Sequence, residues 1–157
     1  MSQSDGEKEG EEVVPEYVSD ESEAEEPREP KEERETVQKA MQEGLKHIAK
    51  TGDNDGFAFS TLEMPEKELR KLFRYLRNYP HLKYINIAQN AIRDIKVIRN
   101  IPYLIKLEAQ ENKIEDISIF TEKDKFTYLQ LLNLAENRAR ELPDLYCPRL
   151  KVLDLSD

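Results

Sequence analysis

The chain has 157 residues, which allows one domain of ordinary size. Its net charge of −9 is unevenly distributed: residues 1–35 contain 15 acidic and 4 basic side chains (−11), and the other 18 acidic and 20 basic side chains sum to +2. The body of the chain lacks the basic excess of a nucleic-acid-binding domain, and no apolar stretch approaches the ~20 residues that span a bilayer. We therefore expect neither nucleic acid nor a membrane among its partners.

Residues 1–35 are predicted to form a disordered acidic tail. The segment has few large apolar residues, and its clustered carboxylates repel one another. Burial therefore cannot offset the entropy lost on ordering this part of the chain. The composition is typical of a solubilising tail, and a segment that docks onto a basic surface is the alternative.

Residues 36–56 are predicted to form a helical N-terminal cap, because a terminal repeat needs a cover for its apolar end. Within ETVQKAMQEGLKHIAKTG (35–52), Thr36 suits an N-cap and Gly52 a C-cap. The apolar residues that share one helical face are Val37, Met41, Leu45 and Ile48. An amphipathic helix that docks onto a partner or a membrane is the alternative.

Residues 57–157 are predicted to form about five leucine-rich repeats, the last one incomplete. The segments RNYPHLKYINIAQNAIRDI (77–95) and RNIPYLIKLEAQENKIEDI (99–117) align without a gap at a period of 22 and fit the pattern LxxLxLxxNxLxxL. The residues that open the successive copies are Phe59, Leu82, Leu104, Leu129 and Leu150. We expect an α/β fold, a right-handed leucine-rich-repeat solenoid with a short parallel sheet on its concave face.

A structural asparagine ladder is predicted at the turn that leaves each strand. Asn90, Asn112 and Asn137 occupy the Asn position of successive repeats, while Lys67 replaces it in the first. The Asn side chain carries both donors and acceptors, so stacked copies can bond backbone groups that the turn leaves unpaired.

Two columns of side chains are predicted on the concave face, which is the candidate protein-binding surface. Strand residues alternate sides, so the residues flanking each buried strand aliphatic point outward. One column contains Thr61, Tyr84, Lys106, Leu131 and Val152. The other contains Glu63, Asn86, Glu108, Asn133 and Asp154. Tyr84 and Leu131 are of the type that anchors interfaces, although the two columns could also simply pack against each other.

No catalytic motif is present in the sequence. His47, His81 and Cys147 do not have the spacing of metal ligands, and GDNDG (52–56) lacks the closing glutamate of a calcium loop. We therefore expect no enzyme activity, no metal, no cofactor and no small-molecule substrate. The lone Cys147 favours a reducing compartment, which agrees with the cytoplasm.

The spacing and the asparagine position resemble the short leucine-rich-repeat class of phosphatase-1 regulatory subunits and a dynein light chain. Three segments carry a closer likeness: MQEGLKHIAKTG, the degenerate FSTLEMPEKELRKL, and LRNYPHLKYINIAQNAIRDI. With the acidic tail before them, they resemble the N-terminal half of a leucine-rich-repeat family of radial-spoke proteins, over residues 36–157. This resemblance implies a non-enzymatic scaffold in the cytoskeleton of the ciliary or flagellar axoneme, with other axonemal and radial-spoke proteins as partners.

Two other functions remain open at this stage. The chain could be a targeting subunit of a protein phosphatase, or an acidic chaperone of basic proteins that acts through residues 1–35. The closing segment LKVLDLSD (150–157) begins a fifth repeat and stops one residue before its Asn position. We therefore expect a fragment, or a truncated gene model, of a longer protein.

Overall fold

The structure, a computed structural model, describes residues 30–72 and 74–157. The disorder predicted for residues 1–35 falls almost wholly outside this part of the chain. The helices and strands that position the site are α1 (Lys31–Gly44), β1 (Leu45–Lys50), β2 (Phe57–Glu63), β3 (Tyr84–Asn86), β4 (Lys106–Glu108), β5 (Leu131–Asn133) and β6 (Val152–Asp154).

In the described part of the chain, the strands form a six-stranded sheet in the order β1 to β6. Strands β1 and β2 form an antiparallel hairpin, and every later pair is parallel. Short 3-10 helices, at Arg74–Asn78, Lys96–Asn100 and Ser118–Thr121, return the chain between strands. The predicted leucine-rich-repeat solenoid is therefore confirmed.

The core lies between the sheet and the 3-10 helices. Each internal strand buries the aliphatic residue that aligns with Ile85 across the sheet, and each 3-10 helix buries an aliphatic residue. The strand residues are Leu62, Ile85, Leu107 and Leu132, and the helix residues are Leu76, Ile98 and Ile119. No repeat could bury these side chains by itself, which is why the repeats stack into one continuous core.

The N-terminal cap differs from the helix predicted over 35–52. Helix α1 begins at Lys31, inside the segment predicted as tail, and ends at Gly44, after which β1 pairs with β2. Gly44 ends the helix at a close approach, because a Cβ there would lie 2.3 Å from the carbonyl oxygen of Glu63. Thr36 lies inside α1 and donates to the Glu32 carbonyl, and Gly52 lies in the hairpin turn.

Because the predicted helix is split between α1 and β1, the apolar residues of its predicted face differ in burial. Val37 and Met41 are buried in α1, but Ile48 is 68% exposed because it belongs to β1. Phe59, predicted to open the first repeat in the core, is also exposed, since β2 extends straight through it. None of the helices within residues 30–72 and 74–157 is long and apolar enough to cross a membrane.

Candidate functional site

The two predicted columns lie side by side on the outward face of the sheet, here called the binding face. Strand pairing aligns Thr61, Tyr84, Lys106, Leu131 and Val152 in one column. It aligns Glu63, Asn86, Glu108, Asn133 and Asp154 in the other. The register is unbroken across the five strands because each repeat presents the same three-residue strand to its neighbour.

The first column continues into an exposed apolar surface on the hairpin. Alternation along β2 puts Phe57 and Phe59 on the same side as Thr61, and Ile48 of β1 pairs opposite Phe59. Ile48, Phe57 and Phe59, here called the hairpin patch, are 68%, 72% and 39% exposed. Side chains of this size in one exposed group mark an interaction site more often than a solvated surface.

A groove of about 300 Å³ adjoins the hairpin patch. Its far wall is formed by the segment Asn78–His81, which leads from the first 3-10 helix towards β3. The hairpin patch was not predicted from the sequence, because Ile48 fitted a helical face and Phe59 fitted a repeat-opening position. The alternation of Phe57, Phe59 and Thr61 was the available signal, since it is the period of a strand.

Part of the second column shapes the turns that follow the strands. The Asn86 side-chain oxygen accepts a hydrogen bond from the Ala88 amide at 3.0 Å, and Asn133 accepts one in the same way from Ala135 at 3.1 Å. Asp154 accepts from both the hydroxyl and the amide of Ser156, which lowers the pKa of its carboxyl. These three side chains therefore hold the backbone in place as well as lining the binding face.

The remaining charges of the second column are carboxylates with lysine neighbours. Lys46 of β1 forms an ion pair with Glu63, and this hydrogen bond is the main cause that lowers the pKa of Glu63. Lys106 lies 3.1 Å from Glu108 on the same strand. Both pairs are partly solvent-exposed, so they orient side chains more than they stabilise the fold.

An acidic edge borders the binding face where the strands end. Glu66, Glu111 and Glu136 occupy equivalent turn positions with φ of 54°, 55° and 52°, as does Gln89 with 54°. Non-glycine residues adopt this left-handed conformation at a cost, so the repeat geometry imposes it. The surface is therefore apolar on the hairpin and acidic along the turns, which suits a partner with apolar and basic side chains.

The three ladder residues bind backbone groups of neighbouring repeats. Asn112 is buried; its oxygen accepts from the Ile92 amide at 3.0 Å, and its amide donates to the Ile87 carbonyl at 2.9 Å. Asn90 and Asn137 make the equivalent bonds one repeat earlier and one repeat later. In the first repeat, the Lys67 backbone amide donates to the Asn90 oxygen.

A row of ring contacts that the sequence patterns did not predict crosses the repeats just before the strands. His81 stacks on Tyr103 at 5.8 Å between ring centroids, Tyr103 contacts Tyr128 at 6.0 Å, and Arg149 lies 4.9 Å above the Tyr128 ring. Each of these residues immediately precedes the leucine that opens its repeat, which was the overlooked signal. Gly52 packs closely on the Tyr103 ring. A Cβ at position 52 would lie only 2.3 Å from a ring carbon, so there is no room for a side chain.

The other candidate residues are dispersed. Within residues 30–72 and 74–157, no three His, Cys, Asp or Glu side chains are grouped as metal ligands. His47 lies in β1, whereas His81 lines the groove. Cys147 is buried, and its burial raises the pKa of the thiol, which makes the side chain a poor nucleophile.

Comparisons with known proteins agree with the resemblance seen in the sequence. Over 115 residues, which are 73% of this chain, it is 30% identical to leucine-rich repeat-containing protein 23 of Homo sapiens and 28% identical to that of Bos taurus. The matched region is 32% of each relative, so the chain spans about a third of the length of the curated relatives it matches. No protein-family model matches the chain.

Among solved structures, an internalin C2 from Listeria monocytogenes matches with a TM-score of 0.45 and 24% identity, over 52% of this chain and 34% of that one. The sequence comparison with the two relatives confirms the similarity to leucine-rich repeat-containing protein 23 over 73% of the present chain. Together with its repeat architecture, this similarity points to a protein-interaction module rather than an enzyme.

Proposed function

We propose that the chain is a non-catalytic protein-binding scaffold of the axoneme of motile cilia and flagella, where it contributes to radial-spoke assembly. The observation that carries the binding role is the continuous exposed surface formed by the hairpin patch and the first column of the binding face. Tyr84 is 43% exposed and Val152 is 49% exposed. Phe59 and Phe57 lie two and four residues before Thr61 on the same side of β2, and Ile48 pairs with Phe59. The radial-spoke role is supported by the sequence resemblance over residues 36–157.

The chemistry of the surface describes the partner segment. Aromatic and aliphatic side chains of the partner would fill the groove beside the hairpin patch, because such anchors provide most of the binding energy at interfaces. Basic side chains of the partner would face Glu66, Glu111 and Glu136 along the acidic edge. We therefore expect the partner to present an amphipathic, basic segment to the concave face.

The test uses two tyrosines with equal exposure on different surfaces. Tyr84 lies on the binding face and Tyr146 lies in the loop before Cys147, and both are 43% exposed. A photo-crosslinking phenylalanine analogue replaces either residue in the tagged full chain, expressed in ciliated cells. We expect radial-spoke proteins to be crosslinked at position 84 and not at position 146. Equal crosslinking at positions 84 and 146 would show that the partner does not bind specifically at the binding face.

The same experiment separates the rival functions. Enrichment of a phosphatase catalytic subunit at position 84, without spoke proteins, would favour a targeting subunit. Basic proteins captured only while residues 1–35 are present would favour a chaperone. The tagged chain is expected along the axoneme by fluorescence microscopy, and a signal that excludes axonemes would overturn the proposed location.

A further inference from the structure

The outer half of the β1–β2 hairpin extends beyond the rest of the sheet. Strand β2 pairs with β3 from Thr61 to Glu63, and just before this the Ser60 carbonyl accepts a hydrogen bond from the Lys83 amide at 2.8 Å. Residues 48–59, which we call the flap, precede this pairing, and their strand residues pair with each other across the hairpin. A two-stranded hairpin is marginally stable by itself, so contacts with the repeats must hold the flap in place.

The flap contributes no side chain to the hydrophobic core. Just outside it, Leu62 is part of the core and Leu45 packs against the core, but no residue of the flap does either. Ile48 and Phe57, two of its largest apolar side chains, are mostly exposed. Segments with few buried apolar contacts are the ones that open most easily in a native protein. Movement of the flap as a unit therefore sacrifices little apolar burial.

The flap joins the sheet at His47 and Ser60, which we call the hinge. His47 has a φ of 53°, a left-handed conformation that is uncommon for a non-glycine residue and costs free energy. The Ser60 hydroxyl donates to the His47 carbonyl at 2.9 Å, and pairing between the strands resumes at Ile48 and Phe59. Hinges are short positions of this kind, where a few residues absorb the change in backbone angles.

Two contacts, here called the latch, hold the flap against the repeats. Gly52 packs on the Tyr103 ring, and the Lys83 ammonium group donates to the Lys50 carbonyl at 3.1 Å. The Tyr103 ring is itself in contact with rings one repeat before and one repeat after it, which restricts its movement. The position of the flap therefore depends on the repeats that follow it rather than on its own pairing.

The flap forms one wall of the groove, and the segment Asn78–His81 forms the other. All three residues of the hairpin patch belong to the flap, so the latch sets their distance from the opposite wall. We infer that the flap opens about the hinge to admit the apolar side chains of a partner into the groove, and that the latch closes it again. The motion is a property of the free chain, whereas its gating of partner binding rests on the proposed function.

NMR relaxation dispersion of the free full chain tests the motion. The method detects conformational exchange on the microsecond-to-millisecond timescale, on which hinge motions occur. We expect the flap amides to share one exchange process. The process should be absent from the Ile87 and Ala109 amides of the sheet, which donate to the next strand at 2.8 and 2.9 Å. Equal dispersion in the flap and the sheet, or none in either, would overturn the inference.

Two alanine substitutions in the same turn test the latch. The added Cβ of Gly52→Ala meets the Tyr103 ring, whereas that of Gly56→Ala meets nothing within 4 Å. We expect Gly52→Ala to move the flap amide shifts towards the open-state values given by the dispersion data, and Gly56→Ala to leave them in place. Similar shifts in both variants would show that the Tyr103 contact does not hold the flap.

A third substitution acts on the other half of the latch. Lys83→Met keeps most of the aliphatic stem and loses the hydrogen bond to the Lys50 carbonyl, so it should increase the open population severalfold. Circular dichroism establishes that each variant is folded. If Gly52→Ala does not fold, Lys83→Met decides the result, and an unchanged open population in it would overturn the latch.

Photo-crosslinking at position 84 in the two alanine variants tests the gating of partner binding. Gly52→Ala should raise the yield of crosslinked partner severalfold and Gly56→Ala should not, because a groove that is already open costs no free energy to open on binding. Equal yields in the two variants would overturn the gating. Absence of partner crosslinking in every form would contradict the proposed function and the gating with it, whereas the motion of the flap is decided in the free chain.

Discussion

The asparagine ladder predicts a specific pattern of energetic coupling between repeats. In Asn112→Ala the buried amide of Ile92 loses its acceptor, which costs about 1–3 kcal/mol of unfolding free energy. The Ile87 carbonyl loses one of two donors, because the Asn90 amide also donates to it at 2.9 Å. The carbonyl therefore stays satisfied in either single substitution.

The double substitution Asn90→Ala/Asn112→Ala removes both of the donors that the ladder supplies to the Ile87 carbonyl. It should therefore cost about 1–2 kcal/mol more than the sum of the two single substitutions. Asn90→Ala/Asn137→Ala is the matched control, because Asn137 donates to Ala109, Leu134 and Ala135 and shares no carbonyl with Asn90. That control pair should be additive within about 0.5 kcal/mol.

Urea unfolding followed by circular dichroism measures all the free energies in this cycle. Additivity in both pairs would refute the shared-carbonyl reasoning, even if every single substitution were destabilising. Equal coupling in both pairs would refute it too, since coupling would then come from general loosening of the solenoid. Only coupling confined to the adjacent pair supports hydrogen bonds that pass from one repeat to the next.

Four further outcomes are expected. Leu132→Ala should cost about 2–5 kcal/mol in urea unfolding and Leu131→Ala clearly less, because Leu132 is fully buried whereas Leu131 lines the binding face; similar losses would contradict the strand phase. Gly44→Ala should destabilise by about 1–3 kcal/mol or more and Gly56→Ala hardly at all, since a Cβ at Gly56 meets nothing within 4 Å. The pKa of Asp116 is lowered by hydrogen bonds from the hydroxyl and amide of Ser118, so its contribution to stability is present above the ordinary pKa of about 4 and is lost as the pH falls below it. Asp116→Asn should therefore flatten the acid dependence of unfolding, and the neighbouring Glu115→Gln should change it less. The Cys147 thiol should react with iodoacetamide at pH 8 many times faster in urea than in the folded protein, and equal rates would contradict its burial.

Local sequence patterns determined the repeats and the phase of their strands. The 22-residue period is visible when two neighbouring repeats are compared, and the alternation around Ile85 and Leu107 and the Asn positions are visible within each repeat. Neighbouring repeats with the same pattern then pair in register, so the order of the side chains in both columns of the binding face follows from the sequence alone. The physical reason is that parallel stacking of equivalent units leaves one register that buries every strand aliphatic.

Tertiary structure decided the features that depend on contacts between distant segments. Residues 45–50 fit a helical face as well as a strand, and pairing with Phe57–Glu63 makes them a strand. That pairing exposes Ile48 and creates the hairpin patch, while the Gly44 contact with Glu63 sets the end of α1. The row of ring contacts through Tyr103 and the packing of Gly52 on it likewise require stacked repeats. The periodicity of a sequence indicates which side of a helix or strand is apolar. Which other segment covers that apolar side depends on the packing of the whole chain.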